Sequence, residues 1–105
     1  MNSNVLEFWQ AIEALTPQDA SLHYLRAALL VAEGRDAEAV APLGDTVGLD
    51  PNEIRAYLLQ MQLAIGRGDL DEAERLGRLA ARLDAGNPRL LVQQAMVALH
   101  RNDVA

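Results

Sequence analysis

The sequence predicts an all-α chain built as a solenoid of antiparallel helix pairs, with about six helices in its 105 residues. Three observations carry that expectation. Half of the residues are apolar, mostly Ala and Leu, which are strong helix formers, while β-branched residues are sparse. Four residue pairs recur at a separation of 34: Pro17 and Pro51, Gly34 and Gly68, Glu38 and Glu72, Ala39 and Ala73. Gly, Pro, Asn and Asp then cut the chain into segments of helical length.

The first expected helix is 4–15. Thr16-Pro17-Gln18-Asp19 reads as a helix start, with a capping oxygen before Pro17 and Asp19 as the acid of the first turn. Helix 18–33 follows and stops at Gly34, because Gly adopts positive φ without strain. Helix 36–48 contains Pro42, which cannot donate to the carbonyl of Glu38 and is expected to kink or shorten it. Asp50-Pro51-Asn52-Glu53 repeats the start signal and opens helix 51–66, whose Ile54, Leu58, Met61 and Ile65 recur at helical spacing.

Gly66 and Gly68 end that helix. Asp69 caps the next one, 69–84, with Asp71 and Glu72 favourable in its first turn. Leu70, Ala73, Leu76, Ala80 and Leu83 line one face, and Asp71–Arg75 and Glu74–Arg78 stand at ion-pair spacing on the other. Gly86 and Asn87-Pro88 introduce helix 88–101. Pro88 falls three residues beyond the 34-residue offset from Pro51, so this helix is expected to start late. Connections of two to four residues make neighbouring helices antiparallel.

Charge narrows the function. The chain carries nine basic and 15 acidic residues, a net charge of −6, with no basic cluster. A nucleic-acid binder needs a positive footprint, and an anionic membrane surface would repel this balance. With no Cys, disulfides and thiolate metal sites are excluded. The longest apolar run, Ala27 to Ala32, is far too short to span a membrane, and the first ten residues lack the pattern of a signal peptide. The expectation is a cytoplasmic protein that neither inserts in a membrane nor binds nucleic acid.

No catalytic constellation is visible, so the chain is not expected to be an enzyme. His23 and His100, its two histidines, lie in different repeats and fit no zinc spacing. Asp69, Asp71 and Glu72 lack the rest of a calcium loop, and helix capping accounts for them. Gly66-Arg67-Gly68 follows no strand and is not a phosphate loop. No cofactor or metal is expected. Trp9 is read as a core residue, and Met61 and Met96 as helix-packing residues.

The 34-residue unit resembles the tetratricopeptide repeat, a helix-turn-helix with small residues where the paired helices touch. Gly34-Arg35-Asp36-Ala37-Glu38-Ala39 and Gly68-Asp69-Leu70-Asp71-Glu72-Ala73 look like its turn and the start of its second helix. Ala80 fits the later small site, Pro51 the closing proline, and Phe8 to Pro17 the end of a second helix. The resemblance implies a right-handed solenoid in one domain. Its parts would be a second-helix half-repeat (1–16), two repeats (17–50 and 51–87), and a first-helix half-repeat (88–105). The first helix of the second repeat departs from the family pattern of an aromatic, Leu-Gly and an aromatic, offering Tyr57, Gln60-Met61 and Ala64, of which only Tyr57 fits.

The resemblance also implies a concave groove lined by first helices. Ser21, Tyr24, Ala28 and Val31 would line it in the first repeat. Arg55, Leu58, Gln62 and Ile65 would follow in the second, and Arg89, Val92, Met96 and Leu99 in the last. Tyr24 and Ala28 replace the polar pair with which some relatives clamp a chaperone carboxylate, so that subclass is rejected. An apolar floor with Tyr24 as anchor suits a helix or an extended apolar segment of a partner protein. The function expected is a protein-binding scaffold or chaperone-like module of bacterial type. The alternatives are a regulatory or docking domain of a larger enzyme or secretion-system protein, or a homo-oligomer joined through open solenoid ends. Helix 88–101 is apolar around much of its circumference. Either the chain is a piece of a longer array, the preferred reading, or that face is buried by a partner or a second copy.

Overall fold

The computed structural model describes residues 18–102 and, before them, Glu7, Phe8, Gln10, Ala11 and Ala14, all five of them helical. Trp9, Thr16, Pro17 and much of the helix expected at 4–15 lie outside the described residues. Five helices follow: α1 (Ala20–Ala32), α2 (Asp36–Leu49), α3 (Ile54–Gly66), α4 (Leu70–Asp84) and α5 (Pro88–Arg101). The described residues contain no strand, so the chain is all-α. It forms two compact units, Met1–Asp50 and Pro51–Ala105.

Helices α1, α3 and α5 begin at Ala20, Ile54 and Pro88, at intervals of 34, and α2 and α4 begin at Asp36 and Leu70, also 34 apart. The last helix therefore does not start late, as the prolines had suggested. The prolines are what differ. Pro88 is the first residue of α5, whereas Pro51 lies in the turn three residues before α3.

The capping scheme is corrected in the same way. Asp19 is itself the N-cap of α1, its carboxylate accepting the Ser21 and Leu22 N–H groups at 2.9 and 3.3 Å. Glu53 is the N-cap of α3, accepting from Arg55 N at 3.3 Å. Asn87 caps α5 through Arg89 N and Leu90 N at 2.9 and 3.2 Å. These three caps are spaced at 34, and each satisfies donors that the helix leaves open. Pro51 instead fixes the preceding turn, where its carbonyl accepts the Tyr57 hydroxyl at 2.8 Å.

Each first helix is turned into its mate by a left-handed glycine. Gly34 and Gly68 have φ of 77° and 76°. The residue after each donates back five positions, Arg35 N to Leu30 O at 2.8 Å and Asp69 N to Ala64 O at 2.9 Å. That closure ends a helix by satisfying its last carbonyls. Asp69 then caps α4 through Glu72 N at 3.2 Å, as expected.

In the first unit α1 packs on α2. The core consists of Tyr24 and Ala27 of α1 with Ala39, Pro42, Leu43 and Thr46 of α2. Pro42 does not shorten α2, which runs 14 residues through it. Pro42 has no N–H to donate to the ladder, but its ring is buried in the core beside Leu43. The Thr46 hydroxyl stays satisfied in the core by donating to the Pro42 carbonyl at 2.8 Å.

In the second unit α3 packs on α4, and α5 packs on both. Leu58, Met61, Ala64 and Ile65 of α3 meet Ala73, Leu76 and Ala80 of α4 and Leu90 and Val97 of α5. The expected pairs Asp71–Arg75 and Glu74–Arg78 give way to others. Arg75 pairs with Glu72 at 2.7 Å. Asp71 and Glu74 both turn to Arg101 at the far end of α5, with Glu74 held at 2.8 and 3.0 Å. The end of α5 thus lies against the start of α4, and the two run antiparallel.

Candidate docking surface

Helix α5 buries Leu90, Gln93 and Val97, which fall on one face at helical spacing. The opposite face is also apolar, and it is open. Val92 is 60% exposed and Leu99 71%, with Leu91 and Met96 also exposed beside them. Residues spaced three and four apart share a helix face, so Val92, Met96 and Leu99 form one stripe, with Leu91 at its edge. The helix carries Arg89, His100 and Arg101 and no acid, in a chain of net charge −6. Arg89 donates to Gln62 Oε1 of α3 at 2.9 Å, which holds one margin of the stripe in place. His100 donates through Nδ1 to the Met96 carbonyl at 2.7 Å.

The groove residues expected from the sequence divide sharply. In the first unit Ser21 is exposed, Ala28 and Val31 are half-buried, and Tyr24 is buried. In the second unit Arg55, Gln62, Arg89, Val92, Met96 and Leu99 are exposed, while Leu58 and Ile65 are buried within the core cluster. Tyr24 and Leu58 are therefore packing residues, not surface anchors. A first helix is apolar on more than one side, and its spacing alone does not say which side meets its mate. Arg55 is held at its own helix start by a two-point ion pair to Glu53, at 2.7 and 2.9 Å. The structure brings Gln62 and Arg89 together and leaves Val92 and Met96 on the open stripe. It adds Leu91 to the set, a residue that the groove register passes over although the apolar run Leu90-Leu91-Val92 marks it.

Two clefts flank the helix pairs. One, of about 380 Å³, opens between α4 and α5 over Met61, Glu74, Gly77, Arg78, Gln94 and Val97. The other, of about 410 Å³, lies in the first unit beside Gly44 and Gly48, with His23 and Asp45 on its walls. Among the described residues no three His, Cys, Asp or Glu side chains gather as a metal site. No described helix is long and apolar enough to cross a membrane. No protein family, curated protein or solved structure matches the chain.

Proposed function

We propose that the chain is a protein-binding module of tetratricopeptide type, which holds a helix or an extended apolar segment of a partner protein in the cytoplasm. The observation that carries this reading is the open apolar stripe of α5. Leaving a Leu, Val or Met in water forgoes about 1.5–3 kcal/mol relative to full burial, so three on one stripe with Leu91 at its edge favour a cover. Helix pairs at 34-residue intervals, each closed by a left-handed glycine, support the solenoid part of the reading. Arg89 and His100 at the margin favour a partner segment with acidic flanks.

The reading is tested with a displayed library of random helical segments selected on the purified chain. Selected segments should bind the wild type at least tenfold more tightly than Val92→Glu/Met96→Glu, with far-UV circular dichroism unchanged. Equal binding to both would place recognition elsewhere. A regulatory or docking role in a larger enzyme or secretion-system protein would use the same stripe.

A further inference from the structure

The 34-residue register says what the α5 stripe is shaped to meet. In α3, the residues Tyr57, Leu58, Met61, Ala64 and Ile65 belong to the core of the second unit or pack against it. Shifted by 34, they become Leu91, Val92, Ala95, Ala98 and Leu99, every one exposed on α5. The other buried positions of α3, Ala56, Leu59 and Leu63, fall on Leu90, Gln93 and Val97, which α5 buries too, so α5 leaves open one of the two faces that α3 buries. Second helices show the matching half of the pattern. Buried positions on α2 are Ala39, Pro42, Leu43 and Thr46, and those on α4 are Ala73, Leu76, Gly77 and Ala80. The same register one repeat earlier falls on Val5, Phe8, Trp9 and Ile12, four large apolar residues. Phe8, the one of these four among the described residues, is 70% exposed.

We infer that the α5 stripe of one copy takes the N-terminal segment of a second copy, which supplies the second helix that completes the pair. Charge favours this occupant over α5 of another copy. Apart from Asp19 and Arg101, which are engaged within the chain, the first 19 residues carry Glu7 and Glu13 and no basic residue, whereas α5 carries Arg89 and His100 and no acid. Two α5 helices face to face would bring like charges together, and head to tail they bring opposite ones. Because the two surfaces differ, a joined pair keeps one of each free, and the contact is heterologous and open-ended.

This inference rests on reading the α5 stripe as a docking surface. Sedimentation equilibrium and light scattering from micromolar to millimolar concentration test it. The weight-average mass should climb from the monomer's 11.4 kDa past twice that value without a plateau. Leu99→Glu and Phe8→Glu should each hold the chain monomeric, and both alter exposed side chains. Mixing the two variants should give a one-to-one dimer and nothing larger, since one keeps a working head and the other a working tail. Should either lose helicity, Val92→Ser and Phe8→Ser serve in the same mixture. A wild-type chain that stays monomeric at millimolar concentration overturns the inference. So does a closed dimer abolished by Leu99→Glu but indifferent to Phe8→Glu. If library segments still bind the stripe of a monomeric chain, self-assembly fails alone and the protein-binding reading stands. If neither binds, both fail.

Discussion

Met61 of α3 ends against Gly77 of α4, with its Cε 3.1 Å from where a Cβ on Gly77 would stand. The residues 34 positions earlier are Ala27 and Leu43, both fully buried in the first unit. Each helix pair thus fills its interior with one large and one small residue, but the two pairs assign them in opposite senses. Large and small must alternate across facing helices for a core to close without voids.

That exchange predicts strong coupling between the two positions. Met61→Ala should cost about 2–5 kcal/mol through the cavity it leaves. Gly77→Leu should cost about 1–3 kcal/mol by forcing Met61 aside. The double variant, which copies the Ala27 and Leu43 arrangement, should be more stable than the two losses added together by about 1–3 kcal/mol. Urea denaturation of the four proteins measures this, and simple additivity would show that the pair does not share one space.

Much of this was legible in the sequence, for a physical reason. Caps, left-handed glycines and helix starts depend on residues within a few positions of each other, so the 34-residue spacing and the helix limits follow from local chemistry. Even there, Asp19 and Glu53 pass for first-turn acids, because a carboxylate can cap from one position or favour the dipole from another. Contacts across helices are less visible. Arg101 lies 27 and 30 residues from Glu74 and Asp71, and nothing in the local pattern announces that clamp. The burial of Tyr24 and Leu58 is hidden similarly, since their helices are apolar on several sides.

Gln93 gives a second prediction. It is 6% exposed on the inner face of α5, and its side-chain Oε1 is buried without a hydrogen-bond partner. A buried carbonyl of that kind forfeits about 1–3 kcal/mol of lost hydration. Gln93→Met keeps the length and flexibility of the side chain and removes the polar atoms. It should raise stability by about 1 kcal/mol, read as a higher urea midpoint at unchanged slope. A lower midpoint would mean that the amide nitrogen contributes more than the carbonyl costs.

Acid should destabilise the chain through three carboxylates. The guanidinium groups of Arg35, Arg55 and Arg75 hydrogen-bond Glu38, Glu53 and Glu72 and hold each below the ordinary carboxylate range. The unfolded chain therefore binds more protons than the folded one in mildly acidic solution. The stability these pairs give is complete above a pH of about 4.3, the ordinary glutamate value, and disappears as pH falls through the depressed values. Glu53 is the most sheltered, its side chain 14% exposed. Glu53→Gln should flatten the fall of the urea midpoint between neutral and acidic pH more than Glu38→Gln does. Parallel curves for Glu53→Gln and the wild type would show that the pair forms equally in the unfolded chain.

Arg101 anchors the last turn of α5, and its prediction separates charge from packing. It holds the Glu74 carboxylate at two points and reaches Asp71 as well, so α5 is fastened at its C-terminal end to the first turns of α4. Its positive charge also suits that end of the helix dipole. The side chain is 39% exposed, which keeps the gain small, and Arg101→Gln should lower the urea midpoint only slightly at low salt. The loss should shrink in 1 M salt, where exposed charges are screened within a few ångströms. Amide exchange should quicken from Ala98 to Arg101 while Leu90 and Val97, held in the core cluster, keep their protection. If exchange instead accelerates along the whole of α5, the clamp and not the core fixes this helix. The stripe it presents would then depend on Arg101 for its position.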